Sequence, residues 1–488
     1  MMLLNAIQFG LYLLLMLGIG TYAMKKTGDN EGFLIGGRTL GPVTTAISAG
    51  ASDMSSWLLL GLPGAVFANG LVAGVWISLG LVIGAYGNWL LVAARLRALS
   101  ELLEAVTLPT YLANRFNDKS GLLKAVSSLV ILVFFTLYVA SGLKGGTLLF
   151  AHTFGASEET ALLVTTLVVV SYTFLGGYLA VCWTDLIQGL LMLTALIFCA
   201  LLGYLAIAGS GMSIAAAHPR AFSCATSWLS GASLMAWGFG YFGQPHILAR
   251  FIGIRSVGEV PHARRVCLTW MILCLLLATL IGLIGIGYHQ VAPLAGLNGP
   301  DGNSERIFLA LTSALFHPLF AGFVLAAVLA AVMSTADSQL LVLTSSLSED
   351  LPFFRRMEDK TRAWISRCGV LVFALIAYGI AASDSGTILG MVGYAWGGFG
   401  AAFGPLMLLS LLWRGTTRHG ALAGMLVGAA TIFMVKNYVQ IEGEYFYELL
   451  PGFVLAFLAI ILVSLVSAKP EASTLAKFDK ARQFAGNR

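Results

Sequence analysis

Charge is what this 488-residue chain has least of. Asp, Glu, Lys and Arg make up 10% of it, where a soluble domain carries roughly 25%. One large water-soluble core is excluded by that scarcity, because uncharged apolar runs recur from end to end and 58% of the residues are hydrophobic. Mean hydropathy is +0.86. Cysteine is sparse too. Cys182, Cys199, Cys224, Cys267, Cys274 and Cys368 show no CxxC spacing, and only Cys224 falls in a loop on the outer side. That excludes a zinc motif and a disulfide framework, and the six read as small apolar residues. No Walker-type glycine loop and no GxSxG elbow occurs, so the sequence supports neither ATP-driven transport nor a nucleophilic enzyme. No soluble domain is attached, and the polar tail after Lys469 is too short to form one.

What is present is apolar length. A spanning helix needs about 20 apolar residues, and about thirteen candidates follow one another. They cover 4–24, 43–70, 71–97, 121–150, 158–176, 177–207, 229–252, 264–290, 317–349, 363–383, 386–413, 418–439 and 446–468. The first is not a cleavable signal, since no basic stretch precedes it and Lys25 and Lys26 follow it. Basic loop residues fall on one side if the chain crosses thirteen times: Lys25, Lys26, Arg38, Arg95, Arg97, Arg115, Lys119, Arg250, Arg255, Arg264, Arg265, Arg355, Arg356, Lys360, Arg362, Arg367, Arg414 and Arg418. Lys144, Arg220, Arg306 and Lys436 are the exceptions. The bias predicts an external N-terminus and a cytoplasmic C-terminus. It also accounts for the net charge of +5, which therefore gives no argument for a nucleic-acid partner. The segment Ser304–Phe316 has a helix-like pattern and is expected as a short helix lying on the outer face.

Two spans are interrupted by small or helix-breaking residues: Ala46-Ile-Ser-Ala-Gly-Ala-Ser-Asp-Met-Ser-Ser-Trp57 in the second and Trp237-Gly-Phe-Gly-Tyr-Phe-Gly-Gln-Pro-His246 in the seventh. They lie five spans apart. Interrupted spans at matching places in two halves are the best sequence pointer to a transporter binding site, and an odd offset inverts the second half. Charges inside a span cost roughly 2.5–3.5 kcal/mol on insertion scales and are functional candidates. Asp53, Asp185 and Asp337 qualify. At 1.5 Å per residue all three fall roughly 12–15 Å from the cytoplasmic edge. Carboxylates at one depth, with the hydroxyls of Ser334, Thr335 and Ser338 and with carbonyls freed at Ala51–Met54, suit a hard cation such as sodium. Alternatively, these acids cap helix breaks or accept bonds from neighbouring helices. Lys144 lies near the outer end of the fourth span, as an outer gate or as a side chain snorkelling to the interface. Trp237, Tyr241 and Tyr138 either wall a solute pocket or pack as core aromatics, and His246 reads as structural.

The motifs Phe33-Leu-Ile-Gly-Gly-Arg-Thr-Leu-Gly41, Ser52-Asp-Met-Ser-Ser-Trp57, Phe134-Phe-Thr-Leu-Tyr138, Trp183-Thr-Asp185, Gly240-Tyr-Phe-Gly-Gln-Pro-His246 and Ala331-Val-Met-Ser-Thr335 together resemble the sodium:solute symporter family, the bacterial proline carriers above all. The likeness covers nearly the whole chain. It implies an all-α polytopic membrane protein of the leucine-transporter type: an extra N-terminal helix and first cytoplasmic loop over 1–42, inverted five-helix repeats over 43–207 and 208–413, and two further helices with a cytoplasmic tail over 414–488. It implies a multi-pass carrier of the bacterial inner membrane that couples sodium to uptake of a small solute, proline first. It needs no cofactor and indicates no protein partner beyond the bilayer. By the same resemblance Ala51, Met54, Asp185, Ser334, Thr335 and Asp53 serve sodium. Ser55, Ser56, Trp57, Tyr138, Trp237, Tyr241, Gln244 and Pro245 serve the solute. The chain departs from the pattern in three places. Ser56 stands where those proline carriers have glycine. Asp337 stands where a hydroxyl is usual, making Asp337 and Ser338 a candidate second cation or proton site. Lys144 stands where an apolar residue is usual. Another small zwitterion or carboxylate, proton coupling through Asp337, and an uncoupled channel or sensor on the same scaffold are the competing readings.

Overall fold

A computed structural model describes residues 2–25, 30–173, 177–210, 214, 221–297, 303–351, 353–354, 357–383 and 386–486. Lys26, Arg220, Arg355 and Arg356, counted above among the loop charges, lie outside the described residues. The described chain is helical throughout, and its one β contact is an isolated bridge between Leu40 and Ile254. Among the described residues, ten helices are long and apolar enough to cross a bilayer. Among the elements that matter below are α1 (Met2–Met24), α2 (Pro42–Asp53), α3 (Leu62–Asn69), α4 (Leu71–Asn88), α5 (Leu122–Phe154), α6 (Glu158–Thr173) and α7 (Tyr178–Ala208). They are followed by α8 (Trp228–Met235), α9 (Pro245–Gly253), α10 (Val260–Val291), α11 (Ile307–Leu315), α12 (Pro318–Ser345), α13 (Asp359–Ser383) and α14 (Ile388–Leu412). The last are α15 (Arg418–Tyr438), α16 (Leu449–Val466) and α17 (Ala472–Gly486).

Sequence composition decides which helices are central. The apolar windows of α12 and α14 are 83% and 89% buried by protein, whereas those of α1 and α13 are 28% and 22% buried. The first two are studded with Ala, Gly and Ser, which allow close approach on all sides. The last two present rows of Leu, Val and Ile to the surroundings. Around α12 stand α5, α7 and α1, and α2 packs on α7 and α10.

Two of the expected spans are not continuous helices. The first begins on Pro42, which preorganises a first helical turn, and stops at Asp53, where Met54 takes φ −83° and ψ 75°. It resumes through a wide π-type turn over Trp57–Gly61 and then α3, which ends on Gly70 at φ +77°. The second runs α8, a tight 3₁₀ stretch over Ala236–Gly243, and α9, which Pro245 opens. The glycines of that stretch serve close approach. The backbone of α4 comes so near that a Cβ on Gly84 would fall 2.0 Å from the Gly238 carbonyl oxygen.

The expected short helix at 304–316 is helical, and its apolar side meets protein. Phe308, Leu309 and Leu311 are fully buried, and α11 packs among α3, α7, α10 and α12. Just before it, Glu305 accepts the backbone N–H groups of Ile388 and Leu389 at 3.0 and 3.1 Å and so caps α14. Burial pushes this carboxyl above its ordinary range, against the pull of those two N–H groups and of Lys144. At the other end of the bundle α17 docks on the helix Ala94–Leu102. Phe478 lies 4.7 Å from the buried Arg115 guanidinium, and Arg414 pairs with Asp479 at 3.0 Å.

A candidate cation and solute site between two broken helices

Breaking α2 redirects its backbone bonds. Ser55 N–H, which a continuing helix would aim at Ala51, instead meets the Asp53 carbonyl at 3.0 Å. The Ala51 carbonyl thereby loses its helical donor, and Ser334 of α12 reaches it with Oγ at 3.0 Å. The Asp53 carbonyl also accepts Trp57 Nε1 at 3.2 Å and Tyr138 Oη at 3.1 Å. The non-helical ψ of Met54 turns its carbonyl off the helix axis. The break, α5 and α12 thus meet on four of the expected residues: Ala51, Asp53, Tyr138 and Ser334.

The side chain of Asp53 reaches across to the second break. Its Oδ2 accepts the Tyr241 hydroxyl, while Oδ1 is buried without a hydrogen-bond partner. The same holds for Thr335 Oγ1 and for the hydroxyls of Ser55 and Ser56. Asp53 forms no ion pair among the described residues. A buried carboxylate with no counter-charge is costly, and this one sits among oxygens that a small cation would satisfy.

The aromatics close one side. Trp237 lies 6.2 Å from Trp57 and stacks on Tyr447 at 5.3 Å, and its Nε1 reaches Tyr445 Oη at 3.4 Å. Tyr241 is edge-on to Trp396 at 5.1 Å. Gln244 donates to the carbonyls of Gly240 and Trp396 at 3.2 and 3.1 Å, so its amide holds the break together, with Oε1 left unpartnered. Ser56 fills the space beside Gly145, where a Cβ would lie 2.3 Å from the serine oxygen. Pro245 is buried at the start of α9, and both ring nitrogens of buried His246 lack partners.

Asp185 stands apart from this group in one respect: it has a counter-charge. Arg250, fully buried on α9, donates Nη2 to Asp185 Oδ2 at 3.0 Å and to Ser338 Oγ at 2.5 Å. Its Nε reaches Ser48 Oγ at 3.0 Å and its Nη1 the His246 carbonyl at 3.0 Å. Ser48 in turn donates to Asp185 at 2.6 Å. One guanidinium therefore ties α2, α7, α9 and α12. The sequence reading set Arg250 among the loop charges, and the structure corrects that placement. Two signals pointed to it: a carboxylate inside a span needs a partner, and Arg250 lies four residues beyond His246, on the same helix face.

The structure also separates Asp337 from Ser338. Ser338 faces Arg250, whereas Asp337 Oδ1 accepts Thr173 Oγ1 of α6 at 2.5 Å, with Oδ2 unpartnered. Successive helix residues point about 100° apart, so the two do not share one site. Lys144 is half-buried and donates to the Gly386 carbonyl, beside the Thr387 that caps α14.

Helices broken in the membrane around oxygen ligands define an ion-coupled membrane carrier, and solved structures agree on the fold. A sodium-coupled sialic acid symporter superposes with a TM-score of 0.78 over 96% of this chain and 98% of its own, at 18% identity. A nucleobase-cation-symport-1 family transporter follows at 0.56 over 91% and 96%, at 14% identity. The chain belongs to the sodium:solute symporter family, whose sequence profile matches residues 33–428. Among its relatives are the sodium/proline symporters of Salmonella typhimurium strain LT2, 46% identical over 97% of this chain and 95% of that one, and of Haemophilus influenzae, 48% identical over 98% of each. The high-affinity proline transporter of Bacillus subtilis is 46% identical over 95% of this chain and 98% of its own length. The protein is accordingly a multi-pass membrane transporter, not an enzyme, and sodium is its coupling ion.

Proposed function

We propose that the protein carries L-proline into a bacterial cell together with sodium, by alternating access across the inner membrane. The observation that carries this reading is the uncompensated Asp53 carboxylate, buried at the break of α2 beside the freed Ala51 carbonyl and the unpartnered Thr335 hydroxyl. Sodium is held by Ala51, Met54, Asp53, Ser334 and Thr335, with Asp185 contributing its open Oδ1. The solute lies against Ser55, Ser56, Trp57, Tyr138, Trp237, Tyr241, Gln244 and Pro245. Identity at nearly half the positions with each of three proline carriers supports that choice of cargo.

The chain crosses the membrane thirteen times in this reading. The ten long helices supply ten crossings, the two broken helices two more, and α6 the last. The N-terminus lies outside and the C-terminus in the cytoplasm. Repeats over 43–207 and 208–413 are inverted, and the breaks at Asp53 and Ala236–Gly243 are their matching elements. Segment 1–42 precedes them and 414–488 follows.

Coupling needs each ligand to favour one state over the other. Sodium pulls the α2 break onto α12 through Ser334 and Thr335, and that contact orders the Tyr138, Trp57 and Tyr241 wall against which the solute packs. The Asp185–Arg250 pair, which joins four helices toward the cytoplasmic end, holds that end shut until the loaded site rearranges. Inward movement of one sodium charge gains about 2.3 kcal/mol per 100 mV of membrane potential. Lys144 braces the outer end through Gly386. A second cation, or a proton, at Asp337 is favoured by one observation: its Oδ2 is buried and unpartnered, and only the Thr173 hydroxyl answers the other oxygen.

The test is uptake of labelled proline into proteoliposomes under an imposed sodium gradient, with a panel of competing amino acids and carboxylates and with pH varied. Sodium-dependent accumulation, competed best by proline, is expected. No accumulation of any offered solute would sink the carrier reading, a steady conductance would turn it toward a channel, and pH-driven uptake without sodium would move coupling to Asp337.

A further inference from the structure

Away from the site, α10 carries a stripe that the transport chemistry does not use. His262, Arg265, Val266, Thr269 and Leu273 recur at helical spacing and, with Trp270 and with Leu193 of α7, line an open groove of about 570 Å³ between the two helices. The groove is apolar toward Leu193 and Leu273 and basic at the end formed by His262 and Arg265, both exposed. Arg265 makes one hydrogen bond, from Nε to the Pro261 carbonyl at 3.3 Å, so its two terminal nitrogens have no protein partner among the described residues. Neighbouring charges are already engaged. Arg264 lies over the Tyr86 ring at 5.4 Å, and Glu259 is held by Arg255 at 2.5 Å.

The floor of the groove is the back wall of the cation site. Trp270 donates Nε1 to the Gly189 carbonyl at 3.1 Å, one helical turn from Asp185. Its ring lies flush against α2: a Cβ on Gly50 would fall 2.7 Å from the indole. Gly50 adjoins Ala51, whose carbonyl meets Ser334. Whatever fills the groove therefore presses, through one rigid indole, on the segment that presents the sodium ligands.

We propose that this groove binds one anionic phospholipid of the cytoplasmic leaflet, and that its occupancy steadies the Trp270 wedge and so strengthens sodium binding. The leaflet rests on the orientation proposed above. The occupant follows from the shape of the wall. An apolar trough open to the bilayer, with a guanidinium and an imidazole at one end, matches an acyl chain ending in a phosphate diester. A soluble anion would leave the apolar length unused, and a zwitterionic lipid would set its own cation beside Arg265. Basic residues near the membrane surface attract anionic lipid by about five-fold each.

Native mass spectrometry of the full chain in detergent tests binding directly, with phosphatidylglycerol and phosphatidylcholine as probes. The wild type is expected to hold phosphatidylglycerol at least about five-fold more tightly, and the preference should vanish in H262Q/R265Q and survive in R265K. An undiminished preference in the double variant, or none in the wild type, overturns the site. Displacement by inorganic phosphate would make it a soluble-anion site and overturn the lipid assignment. In vesicles of phosphatidylcholine alone or mixed equally with phosphatidylglycerol, the sodium needed for half-maximal uptake should fall with the anionic lipid more in the wild type than in H262Q/R265Q. Both proteins feel the same surface potential, so equal shifts would overturn the link to Trp270. The binding measurement does not depend on transport, so a protein that moves no solute would fail the carrier reading while the groove is still decided.

Discussion

At the second helix break, the freed carbonyls find donors within the protein. Trp396 Nε1 meets Trp237 at 2.7 Å, Asn88 Nδ2 meets Tyr241 at 2.9 Å, and Gln244 meets Gly240 at 3.2 Å. At the first break the carbonyls of Ala51 and Asp53 find donors as well, but several side-chain oxygens do not. Asp53 Oδ1, Thr335 Oγ1 and the hydroxyls of Ser55 and Ser56 are buried and unmatched. A buried polar atom without a partner costs roughly 1–3 kcal/mol, so neither arrangement is accidental. The second break leaves neutral groups unmatched, Gln244 Oε1 and the His246 ring nitrogens, and works as a wall and a lever. The first buries an uncompensated carboxylate beside unmatched hydroxyls and asks for something positively charged. A broken membrane helix is therefore not a binding site by virtue of the break alone. What distinguishes the two is the acid: side chains answer the backbone at both, but the first buries Asp53 with one oxygen unmatched and no counter-charge among the described residues.

That contrast is open to direct attack. Replacing Asp53 by Ala removes the charge on which the first break depends. Losing a charged partner costs roughly 1.5–3 kcal/mol, so the sodium concentration for half-maximal uptake should rise about ten- to a hundred-fold. Unchanged sodium dependence in that variant would reject its assigned role. Thr335→Val keeps the shape and deletes one oxygen that bonds to nothing in the protein. A neutral ligand is worth about 1 kcal/mol, so a rise of about five-fold in the same quantity is expected, with thermal stability equal or higher. A loss of stability without a change in sodium dependence would mean that the hydroxyl is merely structural. Asn88→Ala probes the other break. It strands the Tyr241 carbonyl and should cost about 1–3 kcal/mol of stability, read as a lowered melting temperature in detergent, while the sodium requirement moves less than in either variant above. If Asn88→Ala shifted sodium as strongly as Asp53→Ala, the two breaks would not differ in the way argued.

Much of this was visible before any coordinates. The interruptions near Asp53 and Gly240 stood out because Gly, Ser and Pro cannot carry a helix through lipid without help, and the three acids stood out because hydrocarbon charges for them. The partners of those acids were not visible. Arg250 sits at the end of an apolar stretch, where linear reading assigns a basic residue to the aqueous interface, yet the broken helix turns it inward onto Asp185. Ser338 looked like a companion of Asp337, and helix phase sends it to Arg250 instead. The segment at 304–316 has the pattern of an interfacial helix, and only its packing among α3, α7, α10 and α12 shows that its apolar side meets protein.

By itself, then, the order of residues determined a helical membrane protein with two broken spans and three acids inside apolar stretches, because hydropathy, helix breaking and the cost of buried charge act locally along the chain. Which acid is compensated and which is left wanting a cation was decided in three dimensions. Arg250 meets Asp185 across 65 positions of sequence, and Tyr241 meets Asp53 across 188. Coulomb energy depends on distance through space, and no spacing along the chain encodes that distance.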